Sequence, residues 1–347
     1  MSSFIIASTR RNAGKTSLLV GLAKATEKRF GYVKPLGDRF LYRKKRLWDY
    51  DAALMVTLFG MPLEPERISI GFDHSKLHYM YDRDTITAEI TRLISEMGQD
   101  RDGVLIECGE DLAYGASVYL DPLTLSKATG LPAVLVAGGT ENEIADDLAF
   151  IKRFVGSDEA NVAGVIVNKV LQPDEFRTDY LPEVEGLGIN MLGVVPYERE
   201  LTTMTGNFLA EKLFARVIAG ESGLGHSVRN VVVGAMSVTA VMNEERFRES
   251  DKLVITSGDR SDMILAALEA GGTSCLVLTN NIVPPSNVVS KANDQGIPVL
   301  LVPGDTYATA MQVDQLVPLL AAEDESKIEI LTRLVRENVD LNALQAL

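Results

Sequence analysis

A glycine, a lysine and a threonine stand in a row near the start of the chain, as Gly14, Lys15 and Thr16. Where a strand leads through a loop into a helix, this order is typical of a phosphate-binding loop, or P-loop. Backbone N–H groups at the helix start would hold an anion, and the macrodipole would favour its charge. The lysine would reach the β and γ phosphates, and the threonine hydroxyl would hold magnesium. The motif therefore predicts a site for ATP or ADP with Mg²⁺.

One position departs from the usual form of this loop. The first glycine is absent, because Thr9 stands in its place with Ser8 beside it. The alternative is a helix that begins by chance at Gly-Lys-Thr. On the P-loop interpretation, Lys15 is also a candidate catalytic residue. The nucleotide contacts then come from a short run of residues: Asn12, Ala13, Gly14, Lys15, Thr16 and Ser17.

The strand and the helix that this loop requires are both indicated by the surrounding sequence. Val/Ile-rich runs alternate with amphipathic stretches, which predicts an α/β fold of the P-loop NTPase type, a parallel sheet with helices on both faces. The predicted strands of the first half cover residues 4–7, 31–34, 103–106, 133–136, 164–167 and 191–194. The predicted helices cover residues 17–28, 86–97, 143–154 and 208–218. Ligands of such sheets bind beyond the carboxyl ends of the strands.

The alternation of strands and helices restarts after a run of small residues at 220–225, which is typical of a linker. The second half has predicted strands at residues 231–236, 253–256, 275–279 and 299–302, and predicted helices at 263–270, 288–293, 306–313 and about 326–344. We therefore predict three segments. They are a nucleotide-binding domain over residues 1–215, a linker over 216–225, and a smaller α/β domain over 226–347 that includes the last helix.

Composition and charge limit the partners of the chain. It is 46% hydrophobic and 24% charged, which is typical of a globular protein with a sizeable core. A net charge of -14 would repel nucleic acid. No run resembles a signal peptide or approaches the roughly 20 apolar residues of a membrane span. With two isolated cysteines, Cys108 and Cys275, we expect a cytoplasmic protein without nucleic-acid or membrane partners.

Six short segments of the first half stand in a characteristic order. They are Gly14-Lys15-Thr16, Lys34-Pro35, Asp51-Ala52, Glu107-Cys108-Gly109, Gly-Val-Ile-Val-Asn-Lys at 164–169 and Leu-Gly-Val-Val-Pro at 192–196. With this set the chain resembles dethiobiotin synthetase and its P-loop relatives. More closely, it resembles the non-catalytic N-terminal region of long bacterial phosphotransacetylases, in which such a domain precedes a DRTGG domain. The catalytic domain of those enzymes would follow Leu347, so we expect no acetyl transfer by this chain alone.

The resemblance implies roles at the phosphate end of the site. Asp51 and Glu107 correspond to magnesium ligands of dethiobiotin synthetase and would join Thr16. Without the resemblance, the alternatives are a helix cap for Asp51 and a solvated loop acid for Glu107. Lys34 looks like the lysine that orients substrate or γ-phosphate in that family, which makes it a second candidate catalytic residue.

The resemblance also implies contacts at the base end. Asn168 ends a buried strand, where its amide would pair with the adenine edge. The alternative for Asn168 is a capping amide. Pro196 would pack beside the base.

Polar loops follow three predicted strands of the second half. Asp259, Arg260 and Thr279 match positions that give the DRTGG domain its name, while Asn280 and Asn281 replace its two glycines. Asparagine tolerates the left-handed backbone, so the turn can survive this change. We interpret Asp259, Arg260, Thr279 and Asn280 as a ligand site at the sheet edge. The alternative is that Asp259 and Asp262 cap a helix while Arg260 pairs with a carboxylate.

Two further clusters have less specific patterns. Residues 39–48 are basic with interleaved aromatics, which suits either a solvated face or a flap that contacts an anion over the nucleotide. His74 and His78 are spaced for one helix face, but no third zinc ligand follows them.

Three functions are compatible with these patterns. The leading hypothesis is a nucleotide-binding regulatory or accessory protein, whose second domain responds to a partner or metabolite effector. The second is an ATP-dependent ligase that activates a carboxylate as dethiobiotin synthetase does. The third is an interaction module with a vestigial P-loop. We also expect a homo-oligomer.

Overall fold

The structure is a computed structural model that describes residues 3–43, 45–154 and 161–347 of the chain. Lys44, one of the predicted basic residues, lies outside the described residues. The chain divides into two compact units. The first contains Met1–Glu198 and Leu320–Leu347, and the second contains Arg199–Leu319.

Strands and helices alternate through both units. In chain order the strands are β1 (Phe4–Ser8), β2 (Phe30–Val33), β3 (Phe40–Arg43), β4 (Arg46–Asp49), β5 (Gly103–Glu107), β6 (Ala133–Ala137), β7 (Val162–Val170), β8 (Met191–Pro196), β9 (Met204–Thr205), β10 (Arg216–Ala219), β11 (Ser227–Val228), β12 (Asn230–Val233), β13 (Lys252–Ser257), β14 (Thr273–Thr279) and β15 (Val299–Leu301). The α-helices are α1 (Lys15–Thr26), α2 (Tyr50–Leu58), α3 (His74–Met80), α4 (Arg83–Met97), α5 (Pro122–Thr129), α6 (Glu141–Phe154), α7 (Pro173–Glu175), α8 (Leu181–Gly186), α9 (Gly206–Lys212), α10 (Val238–Val241), α11 (Glu245–Arg248), α12 (Ser261–Glu269), α13 (Ser286–Asp294), α14 (Thr306–Asp314), α15 (Glu325–Asn338) and α16 (Leu341–Ala346). Among the described helices, none combines the length and apolarity that crossing a membrane requires.

A six-stranded parallel sheet forms the centre of the first unit, in the order β2-β5-β1-β6-β7-β8. Strands β1 and β6 are buried along their whole length, which explains why their sequences are continuously apolar rather than alternating. The loops after β1, β2, β5 and β7 leave the sheet at one edge, because the strands are parallel. The predicted α/β fold class is confirmed, and each strand predicted for this half is present.

A five-stranded sheet forms the centre of the second unit, in the order β10-β15-β14-β13-β12. Its strands are parallel except β10, which runs antiparallel to β15. Apolar side chains alternate between its two faces. Val254 joins one buried cluster, whereas Leu253 and Ile255 join the other. Both faces are therefore covered, as expected for an α/β domain.

The predicted helix over residues 208–218 is wrong in its second half. α9 ends early, Phe214 takes a left-handed φ of 49°, and β10 then pairs with β15. The predicted linker at 216–225 therefore contains a strand of the second sheet. Its glycines permit close packing, since a Cβ on Gly220 would lie 2.0 Å from the Ile297 carbonyl oxygen. A run of small residues is compatible with tight packing as well as with a flexible linker, so composition alone does not distinguish the two.

The C-terminal helix differs from its prediction in two ways. The single helix expected at about 326–344 is divided into α15 and α16 by Val339, which is extended and forms an antiparallel bridge with Gly193 of β8. α15 also packs on α1, where a Cβ on Gly21 would lie 2.8 Å from the Leu331 carbonyl oxygen. The structure thus places this helix in the first unit, not the second. An apolar stripe shows that a helix is covered, but not which surface covers it.

Candidate functional site

The loop after β1 wraps around the start of α1. Asn12 and Gly14 take left-handed conformations, with φ of 61° and 95°. Gly14 is the N-cap of α1, and no side chain caps the helix. The first N–H groups of α1 therefore lack a side-chain acceptor, which leaves them available to an anion. All the residues predicted to contact a nucleotide through this loop lie here or in the first turn of α1.

Lys15 is the first residue of α1 and is only 8% exposed. Its Nζ donates to the Glu110 backbone oxygen over 3.3 Å. No carboxylate in the described part of the chain lies within ion-pair distance of it. Burial lowers the pKa of Lys15, while the Glu107 carboxylate works in the opposite direction. A buried ammonium at the positive end of a helix is stabilised by an anionic ligand.

Two hydroxyls at the base of the loop have no hydrogen-bond partner among the described residues. They are Ser8 Oγ and Thr9 Oγ1, and both atoms are buried. The backbone N–H of Thr9, the residue in place of the first glycine, donates to the Val136 carbonyl over 3.0 Å. Buried polar atoms normally have hydrogen-bond partners. Two buried hydroxyls without a partner beside a helix N-terminus therefore fit a ligand that accepts hydrogen bonds.

Lys34 follows β2 directly and lies at the centre of an acidic cluster. Its Nζ is 2.9 Å from Asp38 Oδ1, 2.9 Å from Asp51 Oδ2 and 3.5 Å from Glu107 Oε1. Burial alone would lower the pKa of Lys34, but the carboxylates, Asp51 and Glu107 foremost, raise it well above its ordinary value. Lys34 is therefore a charged, buried ammonium that holds these acids together.

Glu107 ends β5 and connects the acidic cluster to the P-loop. Thr16 Oγ1 donates to its Oε1 over 2.7 Å, and Tyr32 OH donates to its Oε2 over 2.8 Å. Because the residue is 1% exposed, burial raises the pKa of Glu107, and the alternative of a solvated loop acid is wrong. The sequence prediction missed Tyr32, although it stands two residues before Lys34 in the strand predicted over residues 31–34, where alternation would place both on one face.

Two aspartates at the start of α2 have different roles. Asp49 is the N-cap and accepts from the Ala52 N–H over 2.9 Å. Its other oxygen accepts from the N–H groups of Asp38 and Arg39, each over 3.0 Å. Asp51 is paired with the cluster lysine instead, so the cap alternative for Asp51 is wrong. The sequence prediction also missed Asp38 and Asp49. In the structure their carboxylates and that of Asp51 lie within 4.8 Å of one another.

The end of β7 supports the P-loop backbone. The buried Asn168 side chain donates through Nδ2 to the Ala13 carbonyl over 2.8 Å. A Cβ on Gly14 would lie 2.5 Å from that nitrogen, so only glycine fits there. Asn168 is thus a support of the loop, and its contact with adenine stays a prediction. Pro196, at the end of β8, is in register with Val170 and lies at the same sheet edge.

The two less specific clusters are also placed by the structure. The basic segment forms the hairpin β3–β4, and Arg39 at its base donates to Asn12 Oδ1 over 3.2 Å. The hairpin therefore begins beside the P-loop. His74 and His78 lie on α3, and within the described ranges neither belongs to a cluster of three metal-ligating side chains.

The polar loops of the second unit meet at the carboxyl edge of its sheet. The Thr279 and Thr306 hydroxyls are 2.8 Å apart, and Asn280 Nδ2 donates to Ser257 Oγ over 3.2 Å. Asn280 and Asn281 have left-handed φ angles of 63° and 53°. Both asparagines therefore adopt the left-handed backbone that the sequence analysis expected them to tolerate.

Arg260 pairs with a carboxylate, as the alternative hypothesis for this loop predicted. Its Nε lies 2.9 Å from Asp262 Oδ1, and its Nη2 donates to the Met236 carbonyl over 3.1 Å. Asp259 lies in the same exposed loop, and α12 begins without a side-chain cap. The structure thus brings Arg260, Asp259, Thr279 and Asn280 to one sheet edge, where Arg260, Thr279 and Asn280 already have hydrogen-bond partners within the chain.

Two family models match the chain, one in each half. A model described as an AAA domain matches residues 2–205, which is more than half of the chain. The chain belongs to the AAA domain family. A model described as a DRTGG domain matches residues 208–316. The first match contains every residue of the phosphate and acidic clusters, and the second contains the polar loops of the second sheet.

The relatives of the chain are about twice its length. It is 26% identical to the phosphate acetyltransferase of Pseudomonas putida over 98% of its own length and 51% of that protein. It is 24% identical to the phosphate acetyltransferase of Synechocystis over 98% of its length and 50% of that protein. The chain thus resembles the N-terminal halves of these enzymes, as the sequence predicted.

Solved structures also include proteins similar to this chain. A chain with the CBS and DRTGG domains of the regulatory region of Clostridium perfringens pyrophosphatase, complexed with the activator diadenosine tetraphosphate, is 13% identical. The similarity covers 49% of this chain and 85% of that one, with a TM-score of 0.28.

Proposed function

We propose that the first unit binds ATP or ADP with Mg²⁺ and that the chain is a nucleotide-binding regulatory or accessory protein. The environment of Lys15 supports this proposal most strongly. Its ammonium is buried at the N-terminus of α1 and has no paired carboxylate among the described residues. The uncapped helix start and the unpaired hydroxyls of Ser8 and Thr9 support the same ligand. All of these groups donate hydrogen bonds or carry positive charge, as a polyphosphate requires.

The residues around Glu107 fit a magnesium ion. The Thr16 hydroxyl and the Glu107 carboxylate are hard oxygen donors already in contact, and Asp51 reaches the same cluster through Lys34. We propose that Thr16, Glu107 and Asp51 hold Mg²⁺, which when bound neutralises phosphate charge. Lys15 and Lys34 would then contact the phosphates.

The adenine end of the nucleotide has candidates at the same sheet edge. Asn168 and Pro196 end the neighbouring strands β7 and β8. We propose that they contact the base, with Asn168 keeping its hydrogen bond to the P-loop.

The space beside the acidic cluster favours regulation over ligation. Tyr114 OH donates to the Gly37 carbonyl over 3.1 Å, and a Cβ on Gly109 would lie 2.1 Å from the Tyr114 ring. The ring therefore packs against Gly109 and is bonded to the loop after β2, close to the acids. We infer that it leaves little room there for the acceptor of a ligase. Stimulation of ADP release by a carboxylate substrate would support the ligase instead.

The second unit is the proposed sensor of the molecule. We propose that a metabolite effector binds at the sheet edge and contacts Asp259, Arg260, Thr279 and Asn280.

We also propose that the chain forms a homo-oligomer. Sedimentation velocity with and without nucleotide would measure the assembly state. A protein that stays monomeric with and without nucleotide would contradict the proposed homo-oligomer.

Calorimetric titration with Mg-ATP and Mg-ADP tests the nucleotide site. We expect binding to the wild type and at least about tenfold weaker binding to Lys15→Met, because a charged hydrogen bond contributes about 1.5–3 kcal/mol. Lys24→Met is the matched control, since Lys24 is exposed on the same helix. No binding by either protein would leave a vestigial loop as the remaining explanation, whereas equal and measurable affinities would show that Lys15 does not contact the nucleotide.

A further inference from the structure

Lys169 has a backbone conformation that lysine rarely adopts. Its φ is 65°, in the left-handed region. The register between β7 and β8 also shifts at this point, because Asn168 is opposite Val195 while Val170 is opposite Pro196. Lys169 is therefore the extra residue of a β-bulge, a feature that redirects a side chain. Backbone strain of this kind persists only where other contacts hold it, often at functional sites.

The bulge brings the Lys169 ammonium to the P-loop. Its Nζ donates to the Asn12 carbonyl over 2.7 Å, and the adjacent Asn168 side chain donates to the Ala13 carbonyl over 2.8 Å. Two consecutive carbonyl groups of the loop are thus held by two consecutive residues of β7. In a planar trans peptide the N–H group points opposite to the carbonyl. Holding these carbonyls therefore directs the N–H groups of Ala13 and Gly14 away from β7.

The contact with Lys169 supports a loop that is itself unusual. Asn12 and Gly14 are both left-handed, on either side of Ala13. Successive N–H groups in such an alternating backbone form an anion-binding concavity. The conformation costs asparagine less than most residues with a Cβ, and a charged donor on the Asn12 carbonyl would offset the remaining cost.

We propose that Lys169 is a positioning residue of the phosphate site. Its ammonium fixes the peptide between Asn12 and Ala13, so that the N–H groups of the loop converge on the phosphate tail. This inference rests on the proposed nucleotide binding, and it adds a residue that the P-loop motif does not contain. It also gives a reason for the strained bulge in β7.

Three substitutions at position 169 separate positioning from a general structural role. Lys169→Met removes the donor but keeps the strain, Lys169→Arg keeps a donor, and Lys169→Gly removes both donor and strain. We expect the dissociation constant for Mg-ATP to rise about tenfold in the Met and Gly variants and to recover largely in the Arg variant. The Tm of Lys169→Gly should equal or exceed that of Lys169→Met. Lys127→Met, at an exposed lysine of α5, is the control.

A measurement without nucleotide keeps this test independent of the proposed function. Hydrogen exchange at residues 10–15 of the ligand-free protein should be faster in the Met and Gly variants than in wild type, and near wild type in the Arg variant. If wild type fails to bind Mg-ATP while exchange follows this order, the proposed function falls and Lys169 remains the residue that orders the loop. Wild-type exchange rates in Lys169→Met, or wild-type affinity in Lys169→Gly, would overturn the inference.

Discussion

At the residue scale, the buried ammonium of Lys34 is the charge on which the acidic cluster depends. Lys34→Met would leave Asp38, Asp51 and Glu107 buried without their common counter-ion. Removing one partner of a buried ion pair costs about 3–5 kcal/mol, so we expect a loss of that size in the free energy of unfolding. Urea unfolding at neutral pH measures it.

The control for this prediction is another lysine of the first unit. Lys24→Met removes an exposed ammonium and should change the free energy of unfolding by no more than about 0.5 kcal/mol. If the two variants are equally stable, Lys34 does not hold the cluster together.

Some residues of this site could be predicted and others could not, for physical reasons. Lys15 and Thr16 have a fixed spacing in one loop, so the motif alone located them. Asp38 joins the site through the contact of its carboxylate with Lys34 and the hydrogen bond of its N–H to Asp49, and both depend on the turn after β2. The position of Asn168 was predicted correctly, but its hydrogen bond to the P-loop depends on how closely β7 approaches Gly14.

At the element scale, the packing of α1 on α15 depends on one small residue. A Cβ on Gly21 would lie 2.7 Å from Val335 Cγ2 and 2.8 Å from the Leu331 carbonyl oxygen. Gly21→Ala should therefore destabilise the protein by about 1–3 kcal/mol through overpacking. Helix propensity alone predicts instead that alanine stabilises the protein, by about 1 kcal/mol in the free energy of unfolding. Thermal unfolding followed by circular dichroism distinguishes the two.

The matched control lies at the end of α8. Gly186 has no atom within 4 Å of an added Cβ, so Gly186→Ala should be neutral or slightly stabilising. A Gly21→Ala protein with a higher Tm than wild type would show that the two helices adjust without cost.

The elements that the sequence predicted correctly are those with a local signal. The buried strands of the first sheet are continuous apolar runs, and α1 follows directly from the P-loop. The strand β10 has no such signal, because its pairing with β15 joins segments far apart in sequence. The break at Val339 likewise depends on a bridge to β8. Long-range pairing, rather than local propensity, decided both.

At the scale of the whole molecule, the two units define a boundary that fragments can test. Residues 199–319 keep all five strands of the second sheet and both of its apolar clusters. Residues 226–347, the boundaries predicted from sequence, lose β10 and α9 and keep α15 without α1. We expect cooperative thermal unfolding of the first fragment and none of the second.

The controls for this comparison are the full chain and dye binding. The 226–347 fragment should bind a hydrophobic dye strongly, since its apolar clusters are incomplete, whereas the 199–319 fragment should not. Cooperative unfolding of 226–347 alone would restore the boundary that the sequence suggested.

We infer that the P-loop holds a polyphosphate with the ammonium of Lys15. A crystal structure of the protein grown with Mg²⁺ and a non-hydrolysable ATP analogue tests it most directly. We expect the phosphates against the N–H groups of residues 13–16, with Lys15 Nζ moved from the Glu110 carbonyl to the phosphate oxygens. At saturating analogue, a loop without phosphate density and Lys15 still bound to that carbonyl would contradict the account.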